Sequence, residues 1–518
     1  MAQVAPDLIL YNATVITLDP DKPRASWVAI GDGKIIGVGT GEPPTGTLNQ
    51  ASRSRNIDCD GSTLVPGFND AHCHVLSTAA SLLALDCSPT AVSSIEEIKE
   101  KLQERSLQVP KGTWLWGNGY NEFYLREKRH PTRWDLDQVA PEHPVRFLHR
   151  SGHAMVLNSH ALALAGIHRD TPDPPDGVIE RDEVTKEPTG LLLEMADHIY
   201  GVIPAMSNDE IERGIGQFNE RCINMGITSI QDATPANNLE RWKLFVGLKK
   251  RGLLVPSMIF MPGARHLQQF AQEGFTFGYG EHGLDVGPVK IMLTMTTGAM
   301  QPSRKELRDL VRDANLNGFP VAIHAVEAEA VKEAIDAIYS GVDRRSIGEL
   351  RNRIEHCSEC PPSLIKQLVC NKVTVVTQPG FLYHSGERYL TDVSGDRLPW
   401  LYPIRSMSDA GVPLAAGSDS PVIPMDPITG IYAAVTRNAE SGDTIFPSES
   451  LSVETALAMH TLGGAYASSK EHVTGSIQYG KQADVVMLDR DPTAVDTEVI
   501  KDIRVMMTIA QGDVVWKL

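Results

Sequence analysis

The sequence predicts an α/β protein: a (β/α)8 TIM barrel with a long insertion after its first strand, plus a small β-sandwich built from both termini. Three observations support this prediction. The middle of the chain holds eight short apolar runs of strand type, apolar residues at helical spacing lie between most of them, and both ends carry short alternating runs. Eight strands, most of them followed by a helical segment, is the number found in such a barrel.

The predicted barrel strands are the eight apolar runs of the central part of the chain. In chain order they cover residues 63–65, 227–230, 255–260, 289–293, 321–323, 353–355, 373–376 and 412–416. Apolar residues recur three and four positions apart between the strands, which is typical of helices with one buried face. Two such sets are Leu307, Leu310, Val311 and Ala314, and Val331, Ala334, Ile335 and Ile338.

Both ends of the chain are predicted to be rich in short strands. The runs cover residues 8–10, 15–18, 28–30 and 35–38 at one end and 485–488, 505–507 and 514–516 at the other. We therefore assign residues 1–62 and 476–518 to one composite β-sandwich. The barrel would consist of residues 63–85 and 208–475.

The segment 86–207 is too long to be a single helix between two barrel strands. It contains aromatic residues such as Trp116 and Tyr120 and a proline-rich stretch that begins at Thr171. Because it follows the first strand, we expect it to form a lid or pocket wall on the catalytic face, where the loops after the strands meet.

Composition excludes several classes of function. The chain has 518 residues and a formal net charge of −17, which argues against nucleic acid as a partner because such binding relies on clustered Lys and Arg. No apolar run approaches the roughly 18 residues of a membrane span, and the first residues lack the pattern of a secretory signal. Together with only seven cysteines, these features predict a cytoplasmic protein without a membrane partner.

Two cysteines have the spacing of a redox or zinc motif, Cys357-Ser-Glu-Cys360. A structural zinc ribbon would require a second pair, which the chain lacks. The alternative, which we favour, is that both thiols simply lie near the end of a strand.

The stretch Gly-Phe-Asn-Asp-Ala-His-Cys-His-Val, residues 67–75, places two histidines one residue apart after an apolar run. Residues i and i+2 of a strand point to the same side, so His72 and His74 could direct both imidazoles at one point. Imidazole is a common ligand for zinc and similar ions. This spacing alone is a weak signal, since two polar residues can also end a strand.

Further polar residues occur on other predicted barrel strands. Lys290 lies in the fourth, and the fifth, sixth and eighth end at His324, His356 and Asp419. Barrel enzymes carry their chemistry at the carboxyl ends of the strands. We therefore predict that these residues, with His72 and His74, form one metal site.

These residues stand in segments that resemble the amidohydrolase superfamily, in the amidohydrolase-3 branch of YtcJ-like metal-dependent hydrolases, to which N-substituted formamide deformylase belongs. The segments carrying the resemblance are Val65-Pro-Gly-Phe-Asn-Asp-Ala-His-Cys-His74, Pro131-Thr-Arg-Trp-Asp-Leu-Asp137, Ser151-Gly-His-Ala-Met-Val-Leu-Asn158, Ile354-Glu-His356, Gln378-Pro379, Gly417-Ser-Asp-Ser-Pro421, Ala434-Val-Thr-Arg437 and Gly480-Lys-Gln-Ala-Asp-Val485. They extend over essentially the whole chain. The resemblance implies hydrolysis of an amide-like C–N bond in a small molecule, such as a non-peptide amide, a formamide or a carbamate.

The resemblance also implies a ligand set of six residues. His72, His74 and Asp419 would hold the more buried ion, His324 and His356 the second, and a carbamylated Lys290 would bridge the two. Two zinc ions per chain are expected, with iron or manganese as alternatives that the same ligands satisfy. Metal-activated hydroxide would attack, and Asp419 would act as general base and then as general acid.

One departure from the family pattern leaves the reaction open. Where many members have Gly-Asp after the fifth-strand histidine, this chain has His324-Ala-Val-Glu327, which resembles the mononuclear deaminases of heterocyclic amines. Alternatively, Glu327 only starts the next helix, where a carboxylate suits the positive end of the dipole. The segment Thr294-Met-Thr-Thr-Gly298 also departs from the common pattern. A catalytically dead structural protein is a further alternative, against which the six filled ligand positions count.

Four residues are predicted to contact the substrate. His153 resembles an insertion histidine of the family, and Trp116, Tyr120 and Tyr383 are aromatic candidates, with His384 beside the last of them. For each, a purely structural role is the alternative. The resemblance leaves the oligomeric state open, with a homodimer as the common arrangement in the superfamily.

Overall fold

The computed structural model describes residues 5–43, 55–174, 177–199, 201–202, 204–295, 299–341 and 350–518. Its strands form five sheets, two of which carry the central parallel strands. The first central sheet has the order β17-β18-β16-β15-β8 and the second has the order β19-β20-β21-β22-β23, with strands numbered along the chain. The strands of the first are β8 (Phe68–Cys73), β15 (Ile227–Asp232), β16 (Ser257–Phe260), β17 (Gly280–Glu281) and β18 (Leu284–Val286). Those of the second are β19 (Val289–Met292), β20 (Val321–Ala325), β21 (Arg353–His356), β22 (Thr374–Thr377) and β23 (Leu414–Ala416).

Seven of the eight predicted central strands are confirmed, because each of the runs from 227–230 to 412–416 overlaps a strand of these two sheets. The sheets approach each other on both sides. A parallel bridge joins Gly263 to Lys290, and the backbone N–H of Asp419 donates to the carbonyl of His72 over 2.7 Å. This arrangement is consistent with a TIM barrel. Closure of the barrel stays a prediction, since the ladders of the described residues form two sheets.

The first predicted barrel strand is wrong. Residues Thr63–Pro66 form β7, which pairs antiparallel with a C-terminal strand and parallel with an N-terminal one. The strand that carries His72 is β8, which follows after Gly67 and pairs with β15. Strand β8 contains Asn69, Asp70 and His72, so it does not form an apolar run and was not predicted as a strand. Gly67 allows the close passage between the two sheets, because a Cβ there would lie 2.1 Å from the Thr228 hydroxyl.

The two ends of the chain meet in the remaining small sheets. A four-stranded sheet contains β1 (Leu8–Tyr11), β4 (Trp27–Gly31), β5 (Lys34–Gly39) and β6 (Arg55–Asp58). A six-stranded sheet contains β2 (Thr14–Ile16), β3 (Arg24–Ala25), β7, β24 (Val485–Leu488), β25 (Val505–Ala510) and β26 (Asp513–Lys517). One apolar cluster includes Leu10 and Ile30 of the first sheet with Leu64 and Ile509 of the second. This shared core is consistent with the predicted sandwich, which stays an interpretation.

The insertion has a sheet of its own. Its six strands are β9 (Leu85–Asp86), β10 (Leu115–Tyr120), β11 (Val145–His149), β12 (Ala154–Leu157), β13 (Val178–Arg181) and β14 (Pro188–Leu193). The insertion contacts a central helix, because the Tyr124 hydroxyl donates to the Glu387 carboxylate over 2.7 Å. Its role as a lid, like the domain limits given above, stays a prediction.

Helices lie between most of the central strands. The α-helices of the described residues are α1 (Val75–Leu83), α2 (Ile95–Leu107), α3 (Arg133–Asp137), α4 (Ser159–Leu164), α5 (Ala196–Ile199), α6 (Asn208–Asn224), α7 (Leu239–Lys250), α8 (Leu267–Gln272), α9 (Arg304–Leu316), α10 (Ala328–Gly341), α11 (Pro362–Cys370), α12 (Gly380–Asp392), α13 (Ile404–Asp409), α14 (Pro427–Thr436), α15 (Val453–Ala458) and α16 (Gly464–Ala467). The two predicted helices are confirmed as α9 and α10. Throughout the described ranges, every helix is too short or too polar to cross a membrane.

Candidate metal centre

Two histidines at the end of β8 direct their rings at one carboxylate. His72 Nε2 lies 3.3 Å and His74 Nε2 lies 3.0 Å from the same oxygen, Asp419 Oδ1. His72 is the last but one residue of β8, and its side chain is 1% exposed. These distances bring the two imidazoles together, as the spacing predicts. The strand that places them is the polar β8, and not the apolar run 63–65 that precedes it.

A third histidine completes a compact group. One ligand atom each from His72, His356 and Asp419 lies within 4.8 Å of the others, and all three residues are buried. His356 and Asp419 adopt φ values of 69° and 57°, in the left-handed region that is unfavourable for residues other than glycine. Strain of this kind costs about 1–3 kcal/mol per residue and is concentrated at functional sites. Other non-glycine residues such as Cys357 and Tyr402 share this conformation, but of those with positive φ only His356 and Asp419 belong to the compact group.

Each of these histidines has a partner on the ring nitrogen that faces away from the centre. The Nδ1 atoms of His72, His74 and His356 lie 2.5 Å from Glu355 Oε2, 3.1 Å from Thr234 Oγ1 and 2.8 Å from Gln378 Oε1. We assign the ring proton to Nδ1 of His72 and His356, since a carboxylate or amide oxygen can only accept. Their Nε2 atoms then present a lone pair to the centre. This is the usual arrangement of metal-binding histidines.

Glu355 is held by a fully buried arginine. Arg353 donates through Nε to Glu355 Oε1 over 2.5 Å, through Nη1 to Gln231 over 2.6 Å and through Nη2 to the Ala71 carbonyl over 2.8 Å. Burial alone would raise the pKa of Glu355, but the charge of Arg353 and the hydrogen bond from His72 outweigh it and hold that pKa far below its usual range. Glu355 is therefore an ionised acceptor for His72.

The protonation states of His324, His356 and Asp419 suit a bound cation. Burial lowers the pKa of His356 to about 3 and keeps the pKa of His324 well below its usual value. Burial alone would raise the pKa of Asp419, but contacts with His72 and His74 lower it well below its usual value. Neutral imidazoles and an ionised carboxylate are the forms that bind divalent metals.

Lys290 has a buried amine without a partner. Nζ has no hydrogen-bond partner within the described ranges, and the residue is 2% exposed. Burial lowers the pKa of Lys290 to about 8, although the negative charges of Glu355 and Asp419 raise it. An unpaired buried amine is costly. An unpartnered Nζ on which these carboxylate charges act is consistent with a site in which a bound metal or a modification of the amine would supply the missing partner.

The structure thus brings together most of the predicted ligands. His72, His74, His356 and Asp419 are linked by the distances above, and the ring of His324 lies 4.4 Å from that of His356 between centroids. The residues present fit a divalent metal ion. The segment after Lys290 cannot be placed fully, because residues 296–298 lie outside the described residues.

The predicted substrate contacts fall into two groups. His153 Nδ1 lies 2.9 Å from Glu194, and this contact raises the pKa of His153, with smaller contributions from the charges of Asp419 and Glu327. The charge of Asp419, a residue of the centre, thus contributes to the pKa of His153. Tyr120 is instead fully buried in the core of the insertion, with its hydroxyl 3.0 Å from His130 Nδ1, so its placement gives no support to a substrate contact.

The other aromatic candidates are partly buried. The Trp116 ring stacks on that of Trp114 with 5.2 Å between centroids, and the ring of Tyr383 lies 5.1 Å from that of His384 and 5.8 Å from that of Tyr432. These contacts leave their role as substrate contacts a prediction. Glu327 precedes α10, and its carbonyl accepts from the N–H of Val331 as in a first helical turn.

Several supporting residues were missed from the sequence. Glu355 and Arg353 fix His72, Thr234 fixes His74, and Asp70 accepts from both the N–H and the hydroxyl of Ser418 over 2.9 and 2.5 Å. The available signal was the pair of charges in the strand Arg353-Ile-Glu-His356, since charges are rarely placed inside a buried strand without a partner.

Comparison with known proteins agrees with this geometry. The model of the amidohydrolase family matches residues 55–516. The chain is 30% identical to N-substituted formamide deformylase of Arthrobacter pascens over 98% of this chain and 97% of that protein. It is 28% identical to the putative amidohydrolase YtcJ of Bacillus subtilis (strain 168) over 98% and 99%. The crystal structure of an uncharacterised metal-dependent hydrolase from Pyrococcus horikoshii OT3 superposes with a TM-score of 0.77 at 23% identity, covering 95% of this chain and 99% of that one, and so shares the fold.

Proposed function

The chain belongs to the amidohydrolase family, and from this premise we propose that it hydrolyses an amide-like C–N bond of a small molecule, in a non-peptide amide, a formamide or a carbamate. The observation that carries the proposal is the buried group of His72, His356 and Asp419, with the partly buried His74 3.0 Å from the Asp419 carboxylate. A relative of similar length is named for the removal of formyl groups from N-substituted formamides, which supports a C–N bond as the target.

The residues present would hold metal in the way the family resemblance implies. His72, His74 and Asp419 would bind one ion and His324 and His356 a second, with carbamylated Lys290 between them. The orphaned Nζ of Lys290 supports this assignment, because a carbamate would turn an unpaired amine into two anionic oxygens. Bound zinc, or iron or manganese in its place, would lower the pKa of a water molecule and polarise the substrate carbonyl.

Asp419 is the proposed proton carrier. Its Oδ1 lies within 3.3 Å of two ring nitrogens, and its carboxyl is ionised over the whole neutral range. It can therefore accept a proton from the attacking water and pass it to the departing nitrogen. The left-handed backbone at residue 419 and the hydrogen bond from its N–H to the His72 carbonyl fix its direction.

The deaminase alternative makes Glu327 the acid and leaves Lys290 without a chemical role. The test is a pair of variants, Lys290→Ala and Glu327→Gln. We expect Lys290→Ala to lose one of two metal equivalents and at least 100-fold in formate release from N-substituted formamides, with partial rescue by added short carboxylates. Glu327→Gln should cost no more than the effect of one charge at a helix start, about 0.3–1 kcal/mol.

The opposite pattern would overturn the hydrolase proposal. One metal per chain in the wild type, an inactive Glu327→Gln and an active Lys290→Ala, with ammonia released from heterocyclic amines, would establish the deaminase. A wild type that binds metal but releases neither product from these substrates would support the dead structural protein. Glu329→Gln is a matched control for Glu327→Gln, because Glu329 is exposed in the first turn of the same helix.

We propose the same kind of substrate, the same location and the same oligomeric state that are expected from the sequence. The substrate would be a small molecule, the enzyme would be cytoplasmic, and two chains would form a homodimer. The seven free cysteines, six of them buried, support a reducing compartment. Sedimentation of the purified chain would test the dimer.

A further inference from the structure

An arginine of the insertion lies against helix α12, which follows β22, and against the loop that follows β23. Arg150 Nη1 donates to the carbonyl of His384 over 3.0 Å, and Arg150 Nε donates to the carbonyl of Val422 over 3.4 Å. The N–H of Val422 in turn donates to the carbonyl of Asp419 over 2.9 Å. Val422 therefore links the guanidinium of Arg150 to the backbone of Asp419, the proposed proton carrier.

In the part of the chain that the structure describes, the guanidinium of Arg150 forms no ion pair with a carboxylate, although the negative charge of Glu440 acts on it. Among the described residues, the acceptors of its hydrogen bonds are the two carbonyls, and they leave Nη2 and one hydrogen of Nη1 unused. A partly buried guanidinium in this state costs free energy unless another group completes it. Nη2 is not enclosed, since it is absent from the buried polar atoms that lack a partner.

Two other arginines differ from Arg150 in this respect. Arg437 is also buried, but it donates to three carbonyls, those of Leu401, Tyr402 and Ile445, and acts as a structural brace. Arg388 lies at the same junction between insertion and α12, and its guanidinium faces the carboxylates of Asp392 and Glu122 at 3.1 and 3.7 Å. Arg150 has neither a complete set of carbonyls nor a carboxylate.

The loop that carries Arg150 also carries His153, which the sequence predicts to contact the substrate. His153 follows three positions later, and the charges of Asp419 and Glu327 both act on it. Residues 150–153 thus lie between the insertion and the carboxyl ends of the central strands, the face at which barrel enzymes bind substrate. The unused N–H groups of Arg150 at this place could therefore contact a bound substrate.

We propose that Arg150 binds a carboxylate of the substrate and so selects N-acyl compounds that carry an acid group close to the scissile C–N bond. A guanidinium fork matches a carboxylate with two parallel hydrogen bonds. A single unpaired positive charge suits a monoanion better than a doubly charged phosphate. This inference rests on the proposed hydrolase function and narrows its substrate class to N-acylated amino acids and similar acids.

The test compares two substrates that differ only in the acid group, N-formylphenylalanine and N-formyl-2-phenylethylamine. For the wild type we expect kcat/KM to be at least tenfold higher for the acid. In Arg150→Gln this preference should fall to about one, mainly through a rise of KM for the acid of about 10- to 100-fold, the size expected for a lost charge-assisted pair. Arg150→Lys, which keeps the charge without the fork, should retain an intermediate preference.

Arg388→Gln is the matched control, because it removes an arginine from the same junction whose charge is already paired. It should leave the preference for the acid unchanged. A wild type without preference, or an Arg150→Gln variant that keeps the wild-type preference, would overturn the inference while leaving the hydrolase proposal intact.

A binding measurement separates the two proposals when neither substrate is cleaved. Calorimetric titration with 3-phenylpropionate and with 3-phenylpropan-1-ol, a neutral compound of similar size, uses ligands that lack a scissile C–N bond. Tighter binding of the acid to the wild type, lost at least tenfold in Arg150→Gln, would support the carboxylate site even if the hydrolase proposal failed. Equal binding of the acid to both proteins would overturn it.

Discussion

His72 donates a hydrogen bond from Nδ1 to Glu355 Oε2 over 2.5 Å, with both side chains almost completely buried. The next residue after Glu355 is His356, so strand β21 supplies one candidate ligand and supports another that lies on β8. Arg353 on the same strand neutralises Glu355. The orientation and tautomer of His72 are therefore fixed by a buried ion pair before any metal binds.

The first prediction concerns this pair. Glu355→Gln keeps the shape of the side chain but removes the charge that faces His72 and leaves Arg353 buried without a counter-charge. Loss of a hydrogen-bonded partner of a metal-binding histidine typically lowers metal affinity 10- to 100-fold. The free energy of unfolding should also fall by about 3–5 kcal/mol, since one partner of a buried pair is removed. Competition with a chromogenic chelator and urea unfolding would measure the two effects.

Glu359→Gln provides the control for the same segment. Glu359 pairs with Arg397 near the surface, where an ion pair contributes about 0–1 kcal/mol, so metal affinity should not change. Equal metal affinity in Glu355→Gln and the wild type would show that His72 does not depend on Glu355.

Several candidate ligands could be found from the sequence because they lie near the ends of predicted strands. His324 and Asp419 follow apolar runs that the structure confirms as strands, and His356 ends the confirmed strand Arg353–His356. The first strand was placed wrongly because β7 is apolar and β8 is not. Apolar periodicity detects burial in a core, whereas β8 is buried by polar contacts such as those of Asp70 with Ser418.

The supporting contacts could not be predicted from spacing. Glu355 and His72 are separated by 283 positions, and Thr234 and His74 by 160. Nothing local in the sequence indicates which charged residue reaches which histidine, since the strand order of two sheets decides it. The unpaired charge of Arg150 was missed for the same reason.

A second prediction concerns the close approach of β23 to β8. A Cβ at Gly417 would lie 2.5 Å from the backbone nitrogen and 2.8 Å from the Cβ of His72. Gly417→Ala should push Asp419 away from His72, lower stability by about 1–3 kcal/mol and weaken metal binding. Thermal unfolding with and without added metal would measure both.

Gly216→Ala is the matched control, because that glycine lies in helix α6 with open space around it. It should leave metal binding unchanged and raise stability by up to about 1 kcal/mol. If Gly417→Ala behaved like Gly216→Ala, the packing of β23 against His72 would not control the centre.

A third prediction concerns removal of the metal. Ligands that bind only the folded state stabilise it by mass action, by about 2.7 kcal/mol at a hundredfold excess over Kd. Dialysis against a chelator should therefore lower the midpoint of thermal unfolding by roughly 2–5 °C in a chain of this length, and zinc should restore it. In the double variant His72→Ala, His74→Ala the chelator should have little further effect. An equal chelator-induced shift in the double variant would place the stabilising metal elsewhere.

The last prediction uses the acid dependence of the insertion. Glu122 Oε2 lies 2.8 Å from His149 Nε2. Burial alone would raise the pKa of Glu122, but the contact with His149 and its charge lower it from 4.5 to about 2. A lowered folded-state pKa means that the stabilisation is fully present above about pH 4.5 and is lost as the pH falls towards 2. Glu122→Gln should therefore destabilise the protein by about 1–3 kcal/mol at pH 6 and by clearly less at pH 3, as measured by urea midpoints.

Glu142→Gln, which removes an exposed carboxylate paired with Lys111, should show little difference from the wild type at either pH. A deficit in Glu122→Gln that stayed constant from pH 6 to pH 3 would mean that Glu122 stabilises the insertion by shape rather than by charge.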